Sequence, residues 1–142
     1  MELYKWYKAE RYLFLHKIPI VPDIIKGAIR ILWGGVIPYQ AEIGEGTILG
    51  YQGLGVVIHK EAKIGKNCVI RQNVTLGGGG GPGDGLPILG DNVNVGAGTV
   101  ILGHVHIGNN VTIGANAVVL TDLPDNCVAV GVPAKVIKIK DK

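Results

Sequence analysis

The chain has 142 residues, 23 of them glycine, and a formal net charge of +3. Such a length suits a single domain with a sizeable buried core. The glycines show neither a Gly-X-Y period nor low complexity, which excludes a collagen-like chain, and the small charge has no long basic run, which argues against a nucleic-acid partner.

Residues Met1–Lys5 are followed by charged residues and not by an apolar h-region, so no signal peptide is expected. Glu2 to His16 reads as a helix with Tyr4, Trp6, Tyr7, Leu13 and Phe14 interleaved with Lys5, Lys8, Glu10 and Arg11. Pro19 and Pro22 break it. Asp23 to Trp33 reads as a second helix, started at Pro22 and stopped by Gly34-Gly35, with Ile24, Ile25, Ala28, Ile31 and Leu32 on one face. Residues 1–35 are expected to cap the open end of the following domain. The competing reading rests their aromatic and basic residues on a membrane surface as a peripheral contact.

From Ile37 a different order sets in. Leu89, Val95, Ile101, Ile107, Ile113 and Val119 are spaced six apart without a gap. A helix repeats every 3.6 residues and a strand every 2, so a strict period of six belongs to a coil that turns a corner at each hexapeptide. Ile58, Ile64, Ile70 and Leu76 form a second run, Ile37, Ile43 and Leu49 a third, and Val130 with Val136 a fourth. With three hexapeptides per turn, residues 36–142 make about five triangular coils. Ile43, Ile64, Leu89, Ile107 and Val130 then stack on one face. Loops are expected at 50–57, 77–88 and 120–129, the last two leaving the same edge. Glycine follows many repeat positions, as at Gly44, Gly65, Gly90, Gly96, Gly108 and Gly114, and is read as supplying positive φ at corners. Asn67, Asn92, Asn109 and Asn116 suit the same corners.

Cys68 and Cys127 stand far apart with no C-x-x-C, and read as free thiols in a reducing compartment. No apolar run reaches the roughly 18 residues of a membrane span. A cytoplasmic protein is expected.

The segments VIHKEAKIGKNCVIRQNVTLGG, VGAGTVILG and GVPAKVI strongly resemble the left-handed β-helix acyltransferases of the hexapeptide-repeat family. The branch they resemble includes serine O-acetyltransferase and the acetyltransferases of capsule and exopolysaccharide synthesis. The resemblance implies an all-β, left-handed parallel β-helix behind a short helical N-terminal region, assembled as a homotrimer with acetyl-CoA in the grooves between prisms. It implies an acetyl-CoA-dependent O-acetyltransferase, first of a sugar hydroxyl in surface-polysaccharide synthesis, with serine O-acetylation in cysteine biosynthesis as the alternative. A non-catalytic trimeric scaffold is a further alternative, and so is a zinc-dependent γ-type carbonic anhydrase using His59, His104 and His106.

Residue by residue, the resemblance gives His59 the role of general base for the acceptor hydroxyl. Taking that proton as the oxygen attacks a thioester accelerates transfer by about 10²–10⁴-fold. Gly77 and Gly78 would lie near the thioester, and Ala97, Gly98 and Ala115 would line the pantetheine groove. Pro133 and Lys135 would lie near the nucleotide, Lys135 pairing with phosphate. Tyr51, Gln52 and Asp84 would touch the acceptor. Serine acetyltransferases carry histidines in the loop that here reads LGYQGLGVV and in the segment that here reads GDGLPIL; Tyr51 or Gln52 stands at the first and Leu86 at the second. His104 and His106 read as outward corner residues and His16 as a surface residue. No resident metal is expected.

Overall fold

The computed structural model describes residues 2–79 and 85–141. Two helices lead into a solenoid. Helix α1 spans Glu2–Leu15 and α2 spans Val21–Trp33, two residues earlier than the sequence pattern suggests because Val21 and Pro22 open the first turn. Gly34 closes α2 in the left-handed region, its N–H bonding the Arg30 carbonyl.

The first turn of the solenoid is β1 (Glu42–Ile43), β2 (Ile48–Leu49) and β3 (Val57–Ile58). The second is β4 (Lys63–Ile64), β5 (Val69–Ile70) and β6 (Thr75–Gly77). The third is β7 (Ile88–Leu89), β8 (Asn94–Val95) and β9 (Val100–Leu102), and the fourth is β10 (His106–Ile107), β11 (Thr112–Ile113) and β12 (Val118–Val119). Strands β13 (Cys127–Val130) and β14 (Lys135–Ile139) finish the chain. Three parallel sheets result: face 1 is β3-β6-β9-β12, face 2 is β1-β4-β7-β10, and face 3 is β2-β5-β8-β11-β13 with β14 antiparallel at its edge. The parallel ladders among β1–β12 keep the six-residue register: Ile64 opposes Leu89, Ile70 opposes Val95 and Leu76 opposes Ile101.

The last coil departs from the sequence reading. Face 2 receives Leu123, bridged to Ile107, and face 3 receives Ala129, paired with Ile113. Val130 and Val136, expected in those stacks, are 36% and 41% exposed, while Leu123 and Ala129 are buried. The chain reaches face 2 after four residues instead of six. Asp122 holds the shortened corner by accepting the His106 N–H at 2.8 Å, and Asp125 accepts the Asn109 N–H at 2.7 Å. Residues 120–129 are therefore not a projecting loop: Leu123 lies in the core and Cys127–Val130 form β13. Four complete turns of strand form, not five.

The core holds two residues per hexapeptide. Besides the repeat aliphatics, the residue two positions earlier is buried, as at Ala41, Ala62, Cys68, Val74, Val93, Val105, Val111 and Ala117. Both cysteines occupy such inner positions, and burial pushes both thiols up. The repeat glycines have a different cause from the one expected. Gly44 and Gly96 are not in the positive-φ region, but a Cβ on Gly96 would stand 2.5 Å from the Ala115 nitrogen of the next coil. The left-handed corners are shared between asparagines, with Asn67, Asn92 and Asn116 as expected, Asn110 in place of Asn109, and Asn73 and Asn126 besides, and glycines such as Gly46 and Gly98.

Helix α1 covers the first coil. The Tyr7 hydroxyl donates to the Ala41 carbonyl at 2.6 Å and accepts from the Ile43 N–H at 3.1 Å. The Arg11 guanidinium reaches the carbonyls of Tyr39, Gln40 and Ala41 at 2.8, 3.2 and 3.0 Å. Those groups have no further coil beneath them, and the helix satisfies them. Among the described residues no helix is long and apolar enough to cross a membrane.

Candidate active site

His59 follows the last residue of β3, at the edge where the chain turns from face 1 to face 2. Its backbone is fixed by the solenoid, with its N–H on the Leu76 carbonyl at 2.8 Å and its carbonyl accepting the Ala62 N–H at 3.0 Å. The half-buried imidazole accepts the Glu61 N–H at Nδ1, at 3.3 Å. A neutral ring held this way carries its proton on Nε2.

The ring faces a cavity of about 430 Å³. Its walls are mostly apolar, from Val36, Pro38, Val57, Ile58 and Leu76, with Thr75 and Gly77 on the next coil and Lys26, Gln40 and Lys60 at the rim. A second cavity of about 440 Å³ shares Gln40 and Lys60 and adds Phe14, Glu42, Glu61 and Lys63. Glu42 and Lys63 pair at 3.2 Å. The Gln40 Oε1 is buried without a hydrogen-bond partner among the described residues. A hydrophobic chamber with a titratable imidazole thus adjoins one with charges of both signs.

Lys26 is anchored rather than free. It donates to Asp23 at 2.8 Å and lies 4.9 Å from the Tyr39 ring centre. The hydrogen bonds from Lys26 and from the Tyr39 hydroxyl hold the Asp23 carboxyl below its usual range. Glu10, on the inner side of α1, is fully buried with both oxygens unpartnered among the described residues, and desolvation pushes its carboxyl up to about 8.

Of the residues expected at the site, His59 and Gly77 share the cavity. Gly78 is one residue on, beside the Leu86 side chain. Ala97, Gly98 and Ala115 lie elsewhere, on the edge between faces 3 and 1, where the Asn116 N–H bonds the Ala97 carbonyl at 2.8 Å. Pro133 and the exposed Lys135 continue that edge into β14. One chain therefore places the two groups on opposite edges of face 1. Tyr51 and Gln52 sit in a short turn, Gly50–Gly53, also on the second edge, with φ of 48° and 56°. Tyr51 is exposed, whereas Gln52 is turned towards the helices and accepts the Leu3 N–H at 3.1 Å. That bond satisfies a donor that the first turn of α1 leaves open, so the structure gives Gln52 a fold role. Asp84 lies outside the described residues. His104 and His106 are exposed and stacked at 5.4 Å. Among the described residues no three His, Cys, Asp or Glu side chains converge as metal ligands. Gln40 and the second cavity went unnoticed in the sequence, where nothing sets Gln40 apart from any other corner residue.

Residues 87–121 match the family described as bacterial transferase hexapeptide (six repeats). The chain is 42% identical over 132 residues to a serine acetyltransferase of Synechococcus elongatus, covering 92% of this chain and 54% of the relative. It is 40% identical over 136 residues to one from Staphylococcus epidermidis, covering 95% and 60%. Its structure is similar to the serine acetyltransferase of Neisseria gonorrhoeae, with a TM-score of 0.90 and 34% identity over 99% of this chain and 54% of that one. It is equally similar to the Brucella abortus serine acetyltransferase solved in complex with coenzyme A, with a TM-score of 0.90 and 29% identity over 96% and 55%. The chain spans about half the length of these relatives. The surface-polysaccharide acceptor that the sequence reading put first is overturned here, because these relatives are serine acetyltransferases.

Proposed function

Since the chain belongs to the hexapeptide-repeat transferases and folds as a left-handed parallel β-helix, we propose that it transfers acetyl from acetyl-CoA to the hydroxyl of serine. The observation that carries this reading is the extent of the match, which runs through both helices and every coil and so includes the edge that holds His59 and Gly77.

In the reaction the serine oxygen attacks the thioester carbonyl carbon. The C–S bond breaks and coenzyme A leaves as its thiol, so a proton must pass from the hydroxyl to sulfur. His59 is the proposed carrier of that proton. To accept it at Nε2 the ring first shifts its own proton to Nδ1 and gives up the Glu61 N–H bond. A single weak hydrogen bond of this kind is worth about 1 kcal/mol, small beside the 10²–10⁴-fold gain from a positioned base. The second cavity, with Glu42, Glu61, Lys60 and Lys63, offers both signs of charge to a zwitterionic amino acid.

The donor side is proposed to form between chains. Gly77 and His59 stand on one edge of the prism, while Ala97, Gly98, Ala115, Pro133 and Lys135 stand on the other. A homotrimer sets one edge of each prism beside the other edge of its neighbour and unites both sets around one acetyl-CoA. Free-thiol release from acetyl-CoA, measured with and without L-serine, tests the activity. The expected result is serine-dependent thiol release that falls about 10²–10⁴-fold in His59→Ala, with coenzyme A binding unchanged by calorimetry. Absence of thiol release in the wild type removes the reading; full activity in His59→Ala removes His59 as the base.

A further inference from the structure

We propose that the α1–α2 hairpin is a docking surface for an anionic lipid membrane. Helix α2 is apolar on two sides. Pro22 and Ile29 are buried inward, yet Ile24, Ile31 and Leu32 are 63%, 85% and 62% exposed. A helix apolar all round is normally covered all round. The outward stripe is continuous: Ile20, Ile24, Gly27 and Ile31 follow helical spacing, and a Cβ on Gly27 would meet nothing within 4 Å. The stripe runs into the tip of the hairpin, where Leu15, Ile18 and Val21 are also exposed.

The backbone of the tip is strained to hold this display. Ile20 has φ 72° and Lys17 has φ 57°. A β-branched residue in the left-handed region is a genuine outlier, and such strain clusters at working surfaces. Charge selects the occupant. His16, Lys17 and Arg30 are exposed around the stripe, and Lys17 and Arg30 form no ion pair among the described residues. Of the nearby acids, Asp23 is held by Lys26 and Tyr39, and Glu10 is buried. A second copy laid on this face would bring two basic rims together, whereas an anionic surface complements them.

Flotation of the whole chain with phosphatidylcholine–phosphatidylglycerol vesicles, against pure phosphatidylcholine vesicles, tests this. Binding to the anionic vesicles is expected, weakening as salt is added. The double variant Ile20→Ser, Ile24→Ser, checked for an unchanged circular dichroism spectrum and melting curve, should bind at least ~10-fold more weakly. Lys17→Glu with Arg30→Glu should abolish the preference for anionic lipid. Three results overturn the proposal: no flotation of the wild type, equal flotation of the serine variant, or a serine variant whose sedimentation mass falls, which would mean that another copy covers the face.

Discussion

Glu10→Gln tests how α1 is seated on the solenoid. Glu10 is fully buried and neither carboxyl oxygen has a partner among the described residues. Desolvation is the main cause of its raised value, about 8 from 4.5; Lys26 opposes the shift and Asp23 adds to it. The folded protein therefore keeps a proton between these values that the unfolded chain releases. Its stability is fully present below the unfolded value and declines as pH rises towards about 8. At pH 7 the interval of 2.5 units from 4.5 corresponds to at most about 3 kcal/mol. Glutamine keeps the shape and carries no charge at any pH. The two proteins should match near pH 4, and the variant should be more stable by ~1–3 kcal/mol at pH 7. Urea unfolding followed by circular dichroism at several pH values reads this directly. A stability difference that does not change with pH refutes a buried, proton-holding Glu10.

The register is tested by a pair of substitutions. Ile107→Asp places a carboxylate in a site 3% exposed and should remove much of a net stability of about 5–15 kcal/mol, whereas Val130→Asp, at a position 36% exposed, should shift the melting temperature little. Equal effects would restore the register read from sequence. Gly96→Ala should cost ~1–3 kcal/mol because its methyl meets the backbone of Ala115, while Gly27→Ala in open space on α2 should stabilise by ~0.5–1 kcal/mol; thermal melts of both variants check the contrast.

The period of six made the solenoid legible because each repeat aliphatic is one rung of a ladder. From Ile37 to Val119 every expected position is a core position, so face and coil could be assigned by counting. The second inner row was in the same count, with Ala62, Cys68 and Val74 six apart, but small residues do not announce burial as isoleucine does. Counting failed at the last coil. Val130 and Val136 fit the hydrophobic pattern as valines six apart, and the shorter corner is set instead by the hydrogen bonds of Asp122 and Asp125 and by the backbone bonds of Leu123 and Ala129 to the preceding coil. Glycine was placed rightly and explained wrongly. The space between stacked coils excludes a Cβ there, a restriction between residues far apart in sequence that no local pattern reveals.

The site was legible to the extent that it follows the repeat. His59 and Gly77 each stand one residue past a core position on face 1, and counting alone puts them on one edge, where the cavity is found. The same count puts Ala97 and Ala115 past face 3, on the other edge. What the sequence did not show is how the helical cap reaches the site. Lys26 and Gln40 reach the His59 cavity only because Tyr7 and Arg11 fasten α1 to the first coil and α2 lies beside it. Gln52 belongs to that cap as well, since its side chain closes the start of α1. The proposed acceptor end of the site is therefore shaped by contacts between the helices and the first coil, and the proposed donor end by the repeat. A variant that loosens α1, such as Tyr7→Phe, should raise the KM for the acceptor while leaving coenzyme A affinity intact. The opposite split would mean that the cap takes no part in the site.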